Sequence, residues 1–308
     1  MEFFKHNTKI DFMAQRKWAA LLSIVLFLLS LTSLAIHGLN WGLDFTGGTQ
    51  IQLNFAETAN INHIREKLEA EGFHEATVIS YGTSKDVLIN IASKNAMQAI
   101  DKDTIVSKIT HALPEAKIQQ VDYIGPQVGK ELATKGVLAI VIALLGTMVY
   151  IAFRFDMRFA VGSTVALIHD PILILGVFSF LNVEFNLIAL TAVLTVIGYS
   201  LNDTIVIFDR VRENFRKLRK ADPVEVMNQS INQTLSRTIM TSALTLIVVL
   251  ALFFIGGTML YGFSLALIIG IVVGTYSSIY IAGSLSLALG LTRQHLLPVS
   301  KEALDDRP

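Results

Sequence analysis

The sequence predicts an α-helical polytopic membrane protein with six transmembrane helices and one α+β domain inserted after the first, and three observations predict it. The 308 residues are 52% hydrophobic and 16% charged, with a mean hydropathy of +0.54, too apolar for a soluble domain of this size. Six stretches reach the roughly 20 apolar residues that a bilayer crossing needs. Residues 39–130, between the first two stretches, show the short alternating periodicities of strands and amphipathic helices instead.

The spans are read as 17–38, 133–153, 159–181, 185–208, 238–256 and 259–289. The last is overlong and is expected to tilt, or to bend near Gly270 or Gly274. Lys and Arg orient the spans, because cytoplasmic connections carry the positive excess. Lys5, Lys9, Arg16 and Lys17 open the chain, Arg154 and Arg158 fill the second connection, and Arg210, Arg212, Arg216, Lys217, Arg219 and Lys220 crowd the 209–237 loop. The connections "NVE" and "GGT" have none. Both terminal segments, 1–16 and 290–308, are therefore expected in the cytoplasm, and 39–130 on the far side. The first span lacks a small-residue cleavage site and is read as a retained anchor. The run "RVRENFRKLRKADP" is read as this orientation signal, with a partner-docking or anionic-lipid surface as the alternative. "PVEVMNQSINQTLSRT" then reads as an amphipathic helix along the cytoplasmic face.

In the insert, "TQIQLNF" turns Ile51, Leu53 and Phe55 inward as a half-buried strand. "INHIREKLEAEGF" places Ile61, Ile64 and Leu68 on one helix face and stops near Gly72. Two strands, "ATVISYG" and "DVLINIAS", are followed by a helix in "AMQAIDKDTIVSKITHAL", with Ile105, Ile109 and Leu113 inward, and by a strand in "AKIQQVDYI". The order βαββαβ is the ferredoxin-like arrangement, which hosts many functions. His63, His74 and His111 stand singly, and no nucleophile triad, P-loop or metal-ligand cluster accompanies them, so an enzyme is not expected. With no cysteine, disulfides, thiolate metal sites and cysteine nucleophiles are excluded. No cofactor is indicated, and a formal net charge of zero gives no hint of a nucleic-acid partner.

Ionisable groups inside spans cost about 2.5–3.5 kcal/mol on insertion scales, so each is a functional candidate. "LIHDPILILG" places His169, Asp170 and Pro171 at mid-span, where the proline is expected to break the helix. "GYSLNDTIVIFDR" places Asn202 beside Asp203, and "SRTIMTSALT" puts Arg237 at a span edge. At four-residue spacing, Thr191, Thr195, Tyr199 and Asp203 form one stripe, and Arg237, Thr241 and Thr245 another. The two stripes are expected to face each other or a hydrated cleft, with an Asp203–Arg237 pair as the simplest geometry. The alternatives are polar contacts that only hold the bundle together, and an Arg237 that snorkels to the headgroups. Gly270, Gly274 and Ser278 are read as a close-packing stripe. In "GLDFTGGT", Asp44 is either an ion or substrate ligand or, the preferred reading, the cap of a turn that Gly47 and Gly48 permit.

These motifs carry a resemblance. "GLDFTGGT" after the first span, "IGPQVGKEL" with Gly125 and Pro126 before the second, "LIHDPILILGVFS", "LTVIGYSLNDTIVIFDRVREN" and "NQTLSRTIMTS" stand in the order of the SecF branch of the SecD/SecF protein-export family, which is itself similar to resistance-nodulation-division transporters. The resemblance implies a subunit of the bacterial inner membrane that works with an obligate SecD partner, the SecYEG channel, YajC and YidC. It also implies that the proton motive force assists late steps of translocation of an unfolded preprotein, with the proton as coupling ion, sodium as the alternative, and membrane lipids as surroundings. It maps proton conduction to Asp203 and Arg237; Asn202, Tyr199, His169 and Asp170, in the same spans, are named as further proton-coupling candidates. Where the family usually shows His-Asp-Val, Pro171 follows His169-Asp170 here, which weakens any role carried to Asp170. A non-transporting scaffold and half of a proton-coupled small-molecule exporter are the competing readings.

Overall fold

The computed structural model describes residues 8–74, 76–80, 83–92, 102–218 and 220–292. The expected beginning of the insert's second helix at 96–101, the end of its second strand at 81–82, Lys5, Arg219 and the tail from 293 lie outside the described residues.

A 3-10 turn, Met13–Gln15, leads into α1 (Arg16–His37). The insert then runs β1 (Asn40–Trp41), α2 (Leu43–Thr46), β2 (Gly48–Phe55), α3 (Ile61–Ala70), β3 (Thr77–Ser80), β4 (Asp86–Ala92), α4 (Lys102–Ala112) and β5 (Ala116–Ile124). Strands β3-β4-β2-β5 form a four-stranded sheet with antiparallel neighbours, kinked by a register shift between Gln52 and Leu53 of β2. One sheet face is dry: Ile51, Leu53, Val87 and Ile89 pack under Ile64 and Leu68 of α3 and Ile105 and Ile109 of α4. Asn60 starts α3 by accepting from the amides of Asn62 and His63, two of the donors that an open helix end leaves unpaired.

The bundle continues with α5 (Pro126–Arg154), α6 (Met157–Phe180), β6 (Glu184–Phe185), α7 (Leu187–Lys217), α8 (Pro223–Ile255), α9 (Gly257–Ser277), a π-helical turn at Ser278–Ala282 and α10 (Gly283–Ala288). Among the described residues six helical runs are long and apolar enough to cross a membrane. Helices α6, α7 and α9 are the buried centre; α1, α5 and α8 turn residues such as Leu29, Ile142 and Val248 outward. Small residues set the central crossings: an added Cβ would run into Ser30 of α1 at Gly176, into Val196 of α7 at Gly270, and within 3.1 Å of Ser200 at Gly274.

Three expectations are corrected. Pro171 does not break α6, which runs on to Phe180 as one helix. The last span does not bend at Gly270 or Gly274, because both glycines are occupied by the approach of α7; the irregularity is the π-helical turn after Ser277. Among the described residues no separate surface helix lies in the 209–237 loop: α7 extends to Lys217, and α8 runs unbroken from Pro223 to Ile255. Asp222 caps α8 through the Val224 amide, Pro223 presets the first turn, and no further Gly or Pro interrupts the helix before Gly256.

The N-terminal strap docks on the same end of α8. Asn232 accepts from the Ile10 amide (3.0 Å) and donates to the Ile10 carbonyl (2.8 Å), while Asn228 accepts from the Met13 amide (2.9 Å) and donates to Asp11 (2.8 Å). Phe12 and Met13 are buried in the core beneath.

Candidate functional site

Asp203 lies on α7 where the helix is clasped by α8 and α9. It is 3% exposed, and its Oδ2 has no hydrogen-bond partner among the described residues. The Ser242 hydroxyl of α8 stands beside it. Ser242 is itself tied to Thr275 of α9 (2.9 Å) and accepts from the Tyr199 hydroxyl (3.4 Å), so a carboxyl and three hydroxyls meet at one three-helix junction. Arg237 is near enough for its charge to act on Asp203, but no ion pair within 4.0 Å joins them. Its side chain is exposed on the outer flank of α8, and Asn202 is exposed on the outside of α7.

The expected facing stripes do not form, and helix geometry explains why. Four residues advance an α-helix by slightly more than one turn, so each step rotates the stripe by about 40°. Thr191 and Thr195 consequently face outward while Asp203, further along, is buried. The threonines satisfy themselves: Thr191, Thr195, Thr241 and Thr245 each donate to the carbonyl four residues before, at 2.6–3.1 Å.

A second carboxylate is buried deeper. Asp170, 0% exposed, accepts through Oδ2 from Ser200 of α7 (2.7 Å) and Ser277 of α9 (2.9 Å), while Oδ1 lies 3.2 Å from His169 Nδ1. His169 stacks on Phe27 of α1, with ring centroids 6.3 Å apart, and its Nε2 is buried without a partner. Three helices, α6, α7 and α9, are thereby joined through one polar cluster on which Phe27 of α1 packs, at the point where α9 passes into the π-helical turn. Sequence reasoning missed Ser200, Ser242, Thr275 and Ser277. Serines are ordinary in membrane helices, and only the packing shows which ones point at a carboxylate.

At the insert end, Asp44 caps a helix far from it in sequence. Its Oδ2 accepts from the Leu187 amide (2.9 Å), and Asn186 accepts from the Ala189 amide (2.9 Å), so two side chains cap α7 together. Beside them Asn40–Trp41 pairs in parallel with Glu184–Phe185, and the Gly42 amide donates to the Phe185 carbonyl (2.9 Å). Gly47 has φ +73°, and a Cβ there would lie 2.8 Å from Pro126 Cα; at Gly129 of α5 a Cβ would lie 2.8 Å from the Phe45 carbonyl oxygen. The two glycine-bearing motifs are thus halves of one joint between the insert and helices α5 and α7, with Gly125 as N-cap and Pro126 as first residue of α5. Asp203 lies roughly 24 Å further along α7, at 1.5 Å per residue.

Glu184 is half-buried at this joint. Burial, followed by the charge of Asp44, raises its carboxyl above the ordinary range. A raised folded-state value gives stability that is present below the unfolded value and lost as pH climbs through the folded one. Glu184→Gln is therefore expected to melt above the parent at about pH 8 and level with it near about pH 4. Equal melting temperatures across that range in a detergent scan would count against this placement.

The fold and its intramembrane carboxylates define a class: a polytopic membrane protein whose buried ionisable cluster is tied by a rigid helix to an α+β domain outside the bundle. The family model "Protein export membrane protein SecD/SecF, C-terminal" matches residues 104–292, and "SecD/SecF GG Motif" matches residues 32–59. The chain is 45% identical to the protein translocase subunit SecF of Vibrio alginolyticus, over 99% of this chain and 98% of the relative, and 47% identical to that of Pseudomonas aeruginosa, over 97% and 98%. It superposes on the crystal structure of SecDF, a translocon-associated membrane protein of Thermus thermophilus, with a TM-score of 0.82 and 35% identity, covering 93% of this chain and 39% of the SecDF chain. The chain belongs to the SecD/SecF family of protein export membrane proteins.

Proposed function

We propose that this chain is the half of a SecD–SecF pair that couples the proton motive force to late steps of preprotein translocation across the bacterial inner membrane. The observation that carries this reading is Asp203: a nearly buried carboxyl with an unbonded oxygen, beside Ser242 and within electrostatic reach of an Arg237 that is turned outward. A structural carboxylate would have its oxygens occupied, as those of Asp170 are. An arginine facing lipid without a counter-charge is costly, so its flank is suited to a second set of membrane helices that supplies the missing charge. Thr191, Thr195 and Asn202 of the adjacent helix α7 are also exposed polar residues. SecD is the partner proposed there, with SecYEG, YajC and YidC as further members of the assembly.

Proton uptake at Asp203 would change the charge facing Arg237 and Ser242 and so the packing of α7 against α8. Helix α7 carries the change to the Asp44 joint and the insert, where an emerging polypeptide is held or released. The strand order β3-β4-β2-β5 and the βαββαβ sequence support a ferredoxin-like insert. The asymmetry of Lys and Arg supports a cytoplasmic placement of both ends, with the insert on the opposite side. Asp203 and Arg237 are the coupling residues proposed, with the proton as coupling ion and sodium as the alternative. The Asp170 cluster is the fixed pivot around which α7 moves.

Since the chain has no cysteine, a single one can be labelled cleanly. Asn202→Cys carrying a benzophenone is expected to crosslink to a co-expressed SecD-like partner on illumination, and Leu29→Cys, on the outward face of α1, is not. Crosslinking from Leu29→Cys alone would place the partner elsewhere and remove the reading of Arg237.

A further inference from the structure

A polar cavity at the end of the bundle remote from the insert holds chemistry that proton coupling does not use. It measures about 360 Å³ and lies between the end of α7 and the first turns of α8, with the N-terminal strap as its third wall. Its lining is unusually rich in donors. Arg210 and Lys217 come from α7, Gln229, Gln233 and Ser236 from α8, and Thr8 from the strap.

The charges and hydrogen bonds define what fits. Glu213 takes one bond from Arg210 (2.7 Å) and one from Lys217 (2.6 Å), which leaves one net positive charge and leaves both cations with free N–H groups. Gln233 accepts through Oε1 from Asn214 (3.0 Å), so its carboxamide is oriented with the nitrogen still free to donate. Among the described residues the side chains of Thr8, Gln229 and Ser236 make no hydrogen bond. Two cationic groups and four neutral side chains able to donate, around a single cavity, match an oxyanion with several acceptor oxygens. Leu218 and Leu235 also line the cavity, which lies where the apolar lengths of α7 and α8 give way to charge, the depth at which phosphate groups lie in a bilayer.

We propose that this cavity binds a phosphate oxyanion, presented by an anionic phospholipid headgroup or by free phosphate. Because Asn232, which lines the cavity, also clamps Ile10, occupancy and strap docking share a wall. The proposal is independent of the roles of Asp203 and Arg237.

Native mass spectrometry of the full chain tests it, with phosphatidylglycerol, phosphatidylcholine and inorganic phosphate as probes. The doubly substituted Arg210→Gln/Lys217→Gln is compared with Arg216→Gln/Lys220→Gln, which removes the same charge from exposed positions outside the cavity. The parent and the outside pair are expected to retain phosphatidylglycerol about tenfold better than phosphatidylcholine, and the cavity pair to lose that preference. Retention that survives millimolar inorganic phosphate identifies the lipid as the source. Displacement of the lipid, with phosphate itself retained by the parent and lost by the cavity pair, identifies free phosphate. Equal retention of every probe by the cavity pair and the outside pair overturns the proposal. Should the cavity pair fail to fold, Gln229→Leu/Ser236→Ala keeps every charge and every bond named above and gives the same reading: unaltered phosphate or lipid retention in it overturns the site.

Discussion

Asp203→Asn is expected to abolish the part of preprotein export that depends on an imposed proton gradient, while leaving the complex with its partner assembled. The substitution keeps shape and size and removes the group that can take up and release a proton. Since Oδ2 makes no hydrogen bond, none is broken at that atom, and a buried amide without an acceptor costs about 1–3 kcal/mol. That cost is tolerable in a bundle held by close crossings at Gly176, Gly270 and Gly274. The functional loss should be complete. The membrane potential offers about 2.3 kcal/mol per charge per 100 mV, and a site that binds no proton draws none of it. Export into vesicles reconstituted with the SecD-like partner and the channel, measured with and without an imposed gradient, decides the matter. Gradient stimulation equal to that of the parent would refute proton coupling at Asp203, and unchanged proton flux with impaired assembly would favour the scaffold reading.

Gly129→Val is expected to be the most disruptive single change at the joint between insert and bundle. A Cβ at position 129 meets backbone on every near side: the Phe45 carbonyl oxygen at 2.8 Å, the Gly47 nitrogen at 2.9 Å and the Phe45 carbonyl carbon at 3.0 Å. Flexible side chains can step aside, but these atoms belong to the short helix α2 and the turn after it. Overpacking of this kind costs about 1–3 kcal/mol, and the two further valine methyls leave little room for relaxation. The Gly129→Val protein should therefore melt several degrees below the parent, with the insert detached from α5 and cleaved by protease near residues 42–48. Gly146, on the same helix, has nothing within 4 Å of an added Cβ, and Gly146→Ala should match or slightly exceed the parent, by up to about 1 kcal/mol of helix propensity. Indistinguishable melting of Gly129→Val and Gly146→Ala would show that α2 and α5 do not pack as described.

The same carboxylates that the sequence marks as costly are sorted into different roles by packing. Both Asp170 and Asp203 stand out in apolar runs, and their neighbours along the chain do not say which of their oxygens find partners. In the fold Asp170 has three partners from its own helix and two others, whereas one oxygen of Asp203 has none. Asp44 shows the same limit. A turn next to two glycines is a sound local expectation, yet the amide it caps belongs to Leu187, 143 residues away. The polar stripe on α7 was legible as spacing but not as a face, because its slow rotation carries Thr191 out of the bundle and Asp203 into it.

What the sequence determined by itself were the quantities that depend on local composition: six spans, the alternation of strands and helices in the insert, and the rarity of charge inside the membrane. Burial of apolar surface and satisfaction of backbone hydrogen bonds impose these on any stretch of chain, whatever it packs against. What only the tertiary structure decided were the pairings: Asp44 with α7, Asp170 with Ser200 and Ser277, the strap with α8, and the separation of Asp203 from Arg237. A hydrogen bond is decided by which groups are brought within about 3 Å, and that follows from helix crossings set by small residues far apart in the chain.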